Sequence, residues 1–219
     1  MDDTLSDKRR QMVPDNKALL VSLFRDNPDA IAAYLTDKFA ENDLEAATTG
    51  LSQVMQAQNV RMLARDAGLR RDRLYSTFGG RIDPQISRIL KLYDALNVQA
   101  AIAPAGGGMD LALQPDSAEP LTNRLTKAFV GNHAEEAILA LKEVVLGQNV
   151  SALARASGIQ RRTIYKTFGG KVDPHLSRVL ALFAALRVRL VVVALPHKPR
   201  TSRPKLGRPP KLPAGGSRA

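Results

Sequence analysis

The sequence predicts a mainly α-helical protein made of two tandem five-helix domains, each followed by a short β-strand. Residues 59–98 match residues 149–188 at 21 of 40 positions without a gap, so the chain contains an internal duplication. Apolar residues recur with a helical period inside each copy, and glycine, proline, aspartate and asparagine separate the periodic runs. Segments at 98–103 and 188–194 are richer in β-branched residues, and we expect these two strands to pair with each other.

The predicted helices of the first copy cover about residues 30–40, 43–57, 59–67, 71–78 and 83–96, and the second copy repeats them ninety residues later. A further short helix is predicted at 17–25. Each pair of glycines at 79–80 and 169–170 ends a fourth helix, because glycine tolerates the left-handed conformation found there. Asp83-Pro84 and Asp173-Pro174 are predicted to be the N-cap and first residue of each fifth helix.

Composition and periodicity divide the chain into five segments. We expect a disordered N-terminus (1–16), a first domain (17–103), a flexible Gly- and Pro-containing linker (104–118), a second domain (119–195) and a disordered basic tail (196–219).

Charge is distributed unevenly along the chain. Residues 1–120 contain 14 Lys and Arg against 17 Asp and Glu, whereas residues 121–219 contain 18 against 4. A C-terminal half this basic indicates a polyanionic partner, of which nucleic acid is the commonest; an anionic membrane or an acidic protein is the alternative. Cysteine is absent, so disulfides and thiol chemistry are excluded. With no apolar N-terminal run and no apolar stretch long enough to cross a bilayer, we expect a cytoplasmic, nucleoid-associated protein without membrane contact.

The third and fourth helices of each copy have the pattern of a helix-turn-helix. Such a pair needs a small residue where the helices cross, a residue tolerant of positive φ at the turn, and apolar positions that lock the two helices. Ala64 and Gly68 meet this requirement in the first copy, and Ala154 and Gly158 do so in the second. The same spacing also describes any short helical hairpin, so the basic exposed positions of the fourth helices carry the functional prediction.

Those exposed positions are the candidate contacts to double-stranded DNA. Arginine reads guanine and glutamine reads adenine in the major groove, while lysine, serine and threonine contact bases or phosphates. The candidates are Arg70, Arg71, Arg73 and Ser76 in the first copy and Gln160, Arg161, Arg162, Thr163 and Lys166 in the second. Tyr75 and Tyr165 either contact DNA or pack against the fifth helix, and Phe39, Phe129, Phe78 and Phe168 are predicted core residues.

An enzyme would need clustered nucleophiles, bases or ligands, and the sequence offers none. His133, His175 and His197 are dispersed, and no metal-ligand spacing surrounds them. We therefore expect neither catalysis nor a cofactor or metal.

Both copies resemble addiction-module antidote (antitoxin) proteins, a branch of the lambda-repressor-like helix-turn-helix class. The resemblance covers about 150 residues and is carried in the first copy by Ala32-Ala33-Tyr34-Leu35, Leu63-Ala64, Gly68-Leu69, Leu74-Tyr75, Phe78-Gly79, Pro84, Ile89-Leu90, Ala95-Leu96 and Val98. The second copy keeps this pattern, with the apolar replacements Ile159, Ile164 and Val179, except in the first segment, which reads "TNRL". The resemblance implies a five-helix bundle with a C-terminal strand, sequence-specific DNA binding, and autoregulation beside a toxin. Such antidotes resemble one copy rather than two and lack the tail.

Two functions are consistent with these observations. The favoured one is a DNA-binding transcriptional regulator or nucleoid-associated protein, and the alternative is an antitoxin that binds a toxin and represses its own promoter. A toxin partner would leave apolar surface exposed on one copy. In either case we expect an intramolecular pseudo-dimer that binds an imperfect palindrome, because one recognition helix buries little surface and the two helices differ; further oligomerisation is left open.

The tail contains "KLGRPPKL", which resembles an AT-hook. In an AT-hook, Arg-Gly-Arg-Pro lies extended in a narrow A·T-rich minor groove. Arg203, Gly207, Arg208 and Pro209 are the predicted contacts, although Leu206 stands where the first arginine of the motif belongs. A disordered tail that touches phosphates without preference is the alternative.

Overall fold

The computed structural model describes residues 16–80, 82–105 and 120–196. We name residues 16–105 unit one and residues 120–196 unit two. Most of the predicted linker and nearly all of the two terminal segments lie outside the described residues. Unit one contains α1 (Asn16–Phe24), α2 (Pro28–Lys38), α3 (Leu44–Ala57), α4 (Val60–Asp66), α5 (Arg71–Phe78), α6 (Ile86–Leu96) and β1 (Val98–Pro104). Unit two contains α7 (Leu121–Phe129), a 3-10 turn (Val130–Asn132), α8 (Ala134–Leu146), α9 (Val150–Ser157), α10 (Arg161–Thr167), α11 (Leu176–Ala185) and β2 (Val188–Ala194). The predicted fold class is therefore confirmed.

Short polar side chains begin several of these helices. The Asn27 side chain accepts a hydrogen bond from Ala30 N (3.2 Å) at the start of α2, and Asp43 accepts one from Ala46 N (2.7 Å) at the start of α3. Each bond satisfies a backbone N–H that has no partner inside its helix. The sequence pattern of capping residues thus places these helix starts.

The glycine pair after α5 is required by geometry at both positions. A Cβ atom on Gly79 would lie 2.6 Å from the carbonyl oxygen of Tyr75, and Gly80 has φ of +79°. Gly169 and Gly170 repeat both features after α10. These values confirm the prediction that glycine ends the fourth helix of each copy.

The two strands pair antiparallel to form a two-stranded sheet, as predicted. Val98 faces Ala194, Pro104 faces Val188, and Ala101 faces Val191 at the centre. Ala101 and Val191 are equivalent residues of the two copies, ninety positions apart. A pseudo-twofold axis therefore passes between them and relates the two units.

Each strand also packs on a helix of the other unit: β2 packs on α2, and β1 packs on α7. The Thr36 hydroxyl on α2 accepts a hydrogen bond from Val192 N (2.9 Å) and donates one to Val192 O (3.1 Å). Thr126 on α7 does the same with Ile102 N (2.9 Å) and Ile102 O (3.1 Å). The outer edge of each strand is thus closed by a side chain from the other half of the molecule.

The asparagines that follow these two helices also bond to the strand of the other unit. Asn42 Nδ2 donates to Val188 O (2.9 Å), and Asn132 Nδ2 donates to Val98 O (2.8 Å). Asn42 and Asn132 have φ of 54° and 59°, a left-handed conformation that asparagine tolerates better than most residues. The units are therefore joined by matched pairs of contacts.

The predicted start of the fifth helices is wrong. α6 begins at Ile86 and α11 at Leu176, and Asp83 and Asp173 do not cap their own helices. Asp173 accepts hydrogen bonds from Ser87 N (3.2 Å) and Ser87 Oγ (2.5 Å), while Asp83 accepts one from Ser177 N (3.0 Å). Asp173 thus caps α6, and Asp83 caps α11. This is possible because the pairing of β1 with β2 brings the starts of these two helices together at the pseudo-twofold axis.

The buried hydrophobic side chains of both units form one continuous core. Phe39, Phe129, Phe78 and Phe168 belong to it, as predicted, with at most 2% of each side chain exposed. Among the described helices, none is alone both long and apolar enough to span a membrane; the bent pair α8 and α9, at 109°, meets that test of length and composition only when taken together.

Candidate nucleic-acid interface

α4 and α5 in unit one, and α9 and α10 in unit two, pack as helix-turn-helix pairs. Gly68 and Gly158 occupy the turns with φ of +64° and +67°. In unit one the turn is closed by a hydrogen bond from Leu69 N to Ala64 O (2.8 Å). Leu74 and Ile164, at 0% and 1% exposed, anchor the second helix of each pair in the core. Because Leu74 and Ile164 fix one face of α5 and of α10 in the core, the opposite face of each helix points to solvent.

The surface of α5 is basic but partly neutralised by acids. Arg70, Arg71, Arg73 and Ser76 are all exposed, as predicted. Arg70 Nε lies 3.2 Å from Asp72 Oδ1, with 82% of the arginine side chain exposed. Desolvation opposes ionisation of Asp72, but the charge of Arg70 and hydrogen bonds from Arg70 and the helix backbone lower the pKa of Asp72 below its usual value. At the end of α4, Arg65 pairs with Asp66 at 2.7 Å.

The surface of α10 is basic without such acids. Gln160, Arg161, Arg162 and Lys166 are exposed, and Thr163 is half-buried. Where unit one has Asp66 and Asp72, unit two has Ala156 and Arg162 at the equivalent positions. Within the described part of the chain, no ion pair joins an acid to Arg161, Arg162 or Lys166. These cations are therefore available to an external polyanion.

One pair of residues has the same geometry in both units. The Arg71 guanidinium lies 5.8 Å from the centre of the Tyr75 ring, and Arg161 lies 5.8 Å from that of Tyr165. Both tyrosines are more than 40% exposed, so they do not belong to the core. Each ring supports an arginine through a cation–π contact and limits its conformations. The repeated spacing of four residues in the sequence was the signal for this pair.

The histidines that the structure describes lie away from these surfaces, and the predicted tail contacts lie outside the described residues. His175 lies at the unit interface with Nδ1 2.8 Å from the carbonyl oxygen of Asp83, and His133 follows the 3-10 turn in unit two. His197 and the predicted tail contacts Arg203, Gly207, Arg208 and Pro209 lie outside the described residues. Minor-groove contact by the tail thus stays a prediction.

Fold and surface together define a tandem helix-turn-helix protein whose exposed basic helices, α5 and α10, are related by a pseudo-twofold axis. Two segments, residues 17–104 and 107–194, each match the family described as "Probable addiction module antidote protein". The chain therefore belongs to the addiction module antidote family, present here as two copies, and the resemblance seen in the sequence is confirmed.

Comparison with individual proteins adds one relative. An uncharacterized protein of Haemophilus influenzae Rd is 32% identical over 71 residues, which are 32% of this chain and 73% of that protein. No solved structure matches the chain. The family match supports the antitoxin alternative better than a role as a general regulator or nucleoid protein.

Proposed function

We propose that this protein is the antidote of a toxin–antidote pair and that it also binds double-stranded operator DNA as a single-chain pseudo-dimer. It acts in the cytoplasm, associated with the nucleoid, and has no catalytic role. The observation that supports DNA binding is the pseudo-twofold pairing of two exposed basic recognition helices. A twofold arrangement of such helices matches the inverted half-sites of a duplex, where they contact successive turns of one major groove.

The toxin-binding part rests on the family and on an exposed apolar strip on α8 of unit two. Leu139 and Leu146 on α8 are 50% and 58% exposed and lie seven residues apart, which places them on one helix face. Unit one has Thr49 and Gln56 at the equivalent positions of α3. An exposed apolar strip on α8 that the equivalent helix α3 lacks favours a protein partner at unit two.

Charge adds a preference for the chemistry of that partner. Of the four acidic residues in the basic half of the chain, Glu135, Glu136 and Glu143 lie on α8 beside the leucines. Glu135 and Glu136 lie in the first turn of α8, where their negative charges interact favourably with the positive end of the helix dipole. Together the leucines and glutamates suit a basic toxin with an apolar contact patch.

Genome-wide occupancy mapping and affinity capture in the source cell test the two parts separately. Arg161→Ala with Arg162→Ala removes occupancy at specific sites, whereas deletion of residues 197–219 weakens all sites together, because the tail contributes mainly to phosphate attraction. Arg25→Ala with Lys91→Ala is the control, since it removes the same charge from exposed positions outside the recognition helices. Capture is expected to return one small basic protein that arrests growth when it is expressed alone.

The outcomes separate the candidate functions. If affinity capture returns a toxin but occupancy mapping finds no specific DNA sites, only the antidote role remains. Broad A·T-rich occupancy without a toxin would instead support the nucleoid-associated function. Absence of both duplex binding and a toxin partner would refute the proposal.

A further inference from the structure

We propose that the two units read chemically different half-sites of one pseudo-palindromic operator: a G·C-rich half for unit one and an adenine-containing half for unit two. This inference rests on the proposed DNA binding. It concerns which bases the operator contains, and it is carried by a comparison of equivalent positions on α5 and α10.

The backbones at the start of the two recognition helices are nearly the same. Arg70 and Gln160 both occupy the N-cap position, with φ and ψ of −71° and 145° for the first and −57° and 137° for the second. Neither side chain caps its helix, and both are exposed. The side chains therefore leave the surface from equivalent places, and any difference in base reading comes from their chemistry.

That chemistry differs at four positions. Unit one presents Arg70, Asp72 and Arg73, and arginine prefers the O6 and N7 atoms of guanine, while aspartate accepts from N4 of cytosine. The Arg70–Asp72 pair at 3.2 Å presents a donor and an acceptor side by side, which suits a G·C pair. Unit two presents Gln160 at the position of Arg70, and glutamine prefers N6 and N7 of adenine.

The differences also affect phosphate contacts. Arg162 and Lys166 stand where unit one has Asp72 and Ser76. Asp72 repels phosphates, whereas both replacements attract them. Unit two therefore contributes the larger share of the salt-sensitive affinity.

One position is common to both halves. Arg71 and Arg161 are identical residues and lie over Tyr75 and Tyr165 at the same 5.8 Å. An arginine held the same way by two related helices reads the same base in each half-site. The operator is thus expected to contain one symmetric base pair per half, a guanine contact, flanked by asymmetric positions.

Selection of binding sites from a random duplex pool by the purified full-length chain tests this inference. The informative variant replaces the exposed residues of α5 by those of α10: Arg70→Gln, Asp72→Arg, Arg73→Thr and Ser76→Lys. The natural chain should select an asymmetric site, and the variant a palindrome made of two unit-two half-sites. Each mismatched pair in the wrong half should weaken binding about 5- to 150-fold.

The reciprocal exchange, Gln160→Arg, Arg162→Asp, Thr163→Arg and Lys166→Ser, should select a palindrome of the unit-one half-site. Circular dichroism is the control that each variant is folded. A perfect palindrome selected by the natural chain, or the same site selected by all three proteins, would overturn the inference while leaving DNA binding intact. Failure of the natural chain to enrich any duplex would instead refute the proposed DNA binding itself.

Discussion

The cap that Asp173 places on the fifth helix of the other unit should stabilise the whole chain. Asp173→Ala removes hydrogen bonds to Ser87 N (3.2 Å) and Ser87 Oγ (2.5 Å). Loss of an N-cap aspartate costs about 0.5–2 kcal/mol, and a hydrogen bond to a charged group contributes about 1.5–3 kcal/mol. Asp173 is half-buried, so solvent partly compensates the loss, and we expect the free energy of unfolding to fall by about 2 kcal/mol.

Thermal and urea denaturation of the full chain, followed by circular dichroism, measure this change. For a protein of this size, about 2 kcal/mol lowers the Tm by about 4–8 °C. The urea midpoint should fall without a change in the slope, because the same surface is exposed on unfolding. A double-mutant cycle with Ser87→Ala should show a coupling of about 0.5–1.5 kcal/mol, since the two side chains share a bond.

Asp43→Ala is the matched control, because Asp43 caps α3 inside its own unit by a bond to Ala46 N (2.7 Å). It should destabilise the chain by about 1 kcal/mol, and its effect should add to that of Ser87→Ala. The reasoning would be refuted if Asp173→Ala changed the free energy of unfolding by less than about 0.5 kcal/mol. The absence of coupling to Ser87 would show that the cap across the interface contributes nothing.

Further predictions concern Tyr93, two helix-ending glycines and the leucines of α8. Burial raises the pKa of Tyr93 above its usual 10, so the unfolded chain should lose this proton first and stability should fall as pH rises above 10. Tyr93→Phe should reduce that fall in urea titrations at high pH, and should cost no stability at pH 7 because its buried hydroxyl has no hydrogen-bond partner within the described ranges. Gly79→Ala should lower the free energy of unfolding by about 1–3 kcal/mol through its clash with a backbone carbonyl. Gly147→Ala, where the nearest atom is 3.4 Å away and φ is −78°, should be neutral or stabilising by up to about 1 kcal/mol. Leu139→Thr with Leu146→Gln should weaken toxin capture at least about tenfold, as loss of an interface anchor does, and leave DNA affinity unchanged.

The order and type of the helices could be predicted from the sequence because their determinants are local. Capping residues such as Asp43, the positive φ at Gly68 and the glycine pair after α5 act within a few residues of their own position. The exposure of Arg71 and Arg161 followed in the same way from helical periodicity. Duplication helped further, since the turn glycine and the glycine pair appear in both copies.

Side-chain contacts between the copies could not be assigned from such signals. Asp83 and Asp173 have the sequence pattern of N-caps of their own helices. Only the tertiary structure shows that each caps a helix of the other unit. Thr36 and Thr126 are repeated ninety residues apart, but repetition does not reveal that their hydroxyls bind a strand from the opposite half. Those bonds connect residues 156 and 24 positions apart, and sequence spacing carries no information about partners at such distances.

By itself, the sequence determined that the chain folds as two related helix-turn-helix units with basic recognition helices, because helix periodicity, caps and turn glycines are set by neighbouring residues. The sequence also predicted that the two strands pair, but the tertiary structure alone decided their register and the contacts around them. Strand pairing centred on Ala101 and Val191 creates the pseudo-twofold axis, and with it the inverted arrangement of α5 and α10. The physical reason is that packing and hydrogen bonding between distant segments depend on the arrangement of the whole fold, which neighbouring residues do not encode.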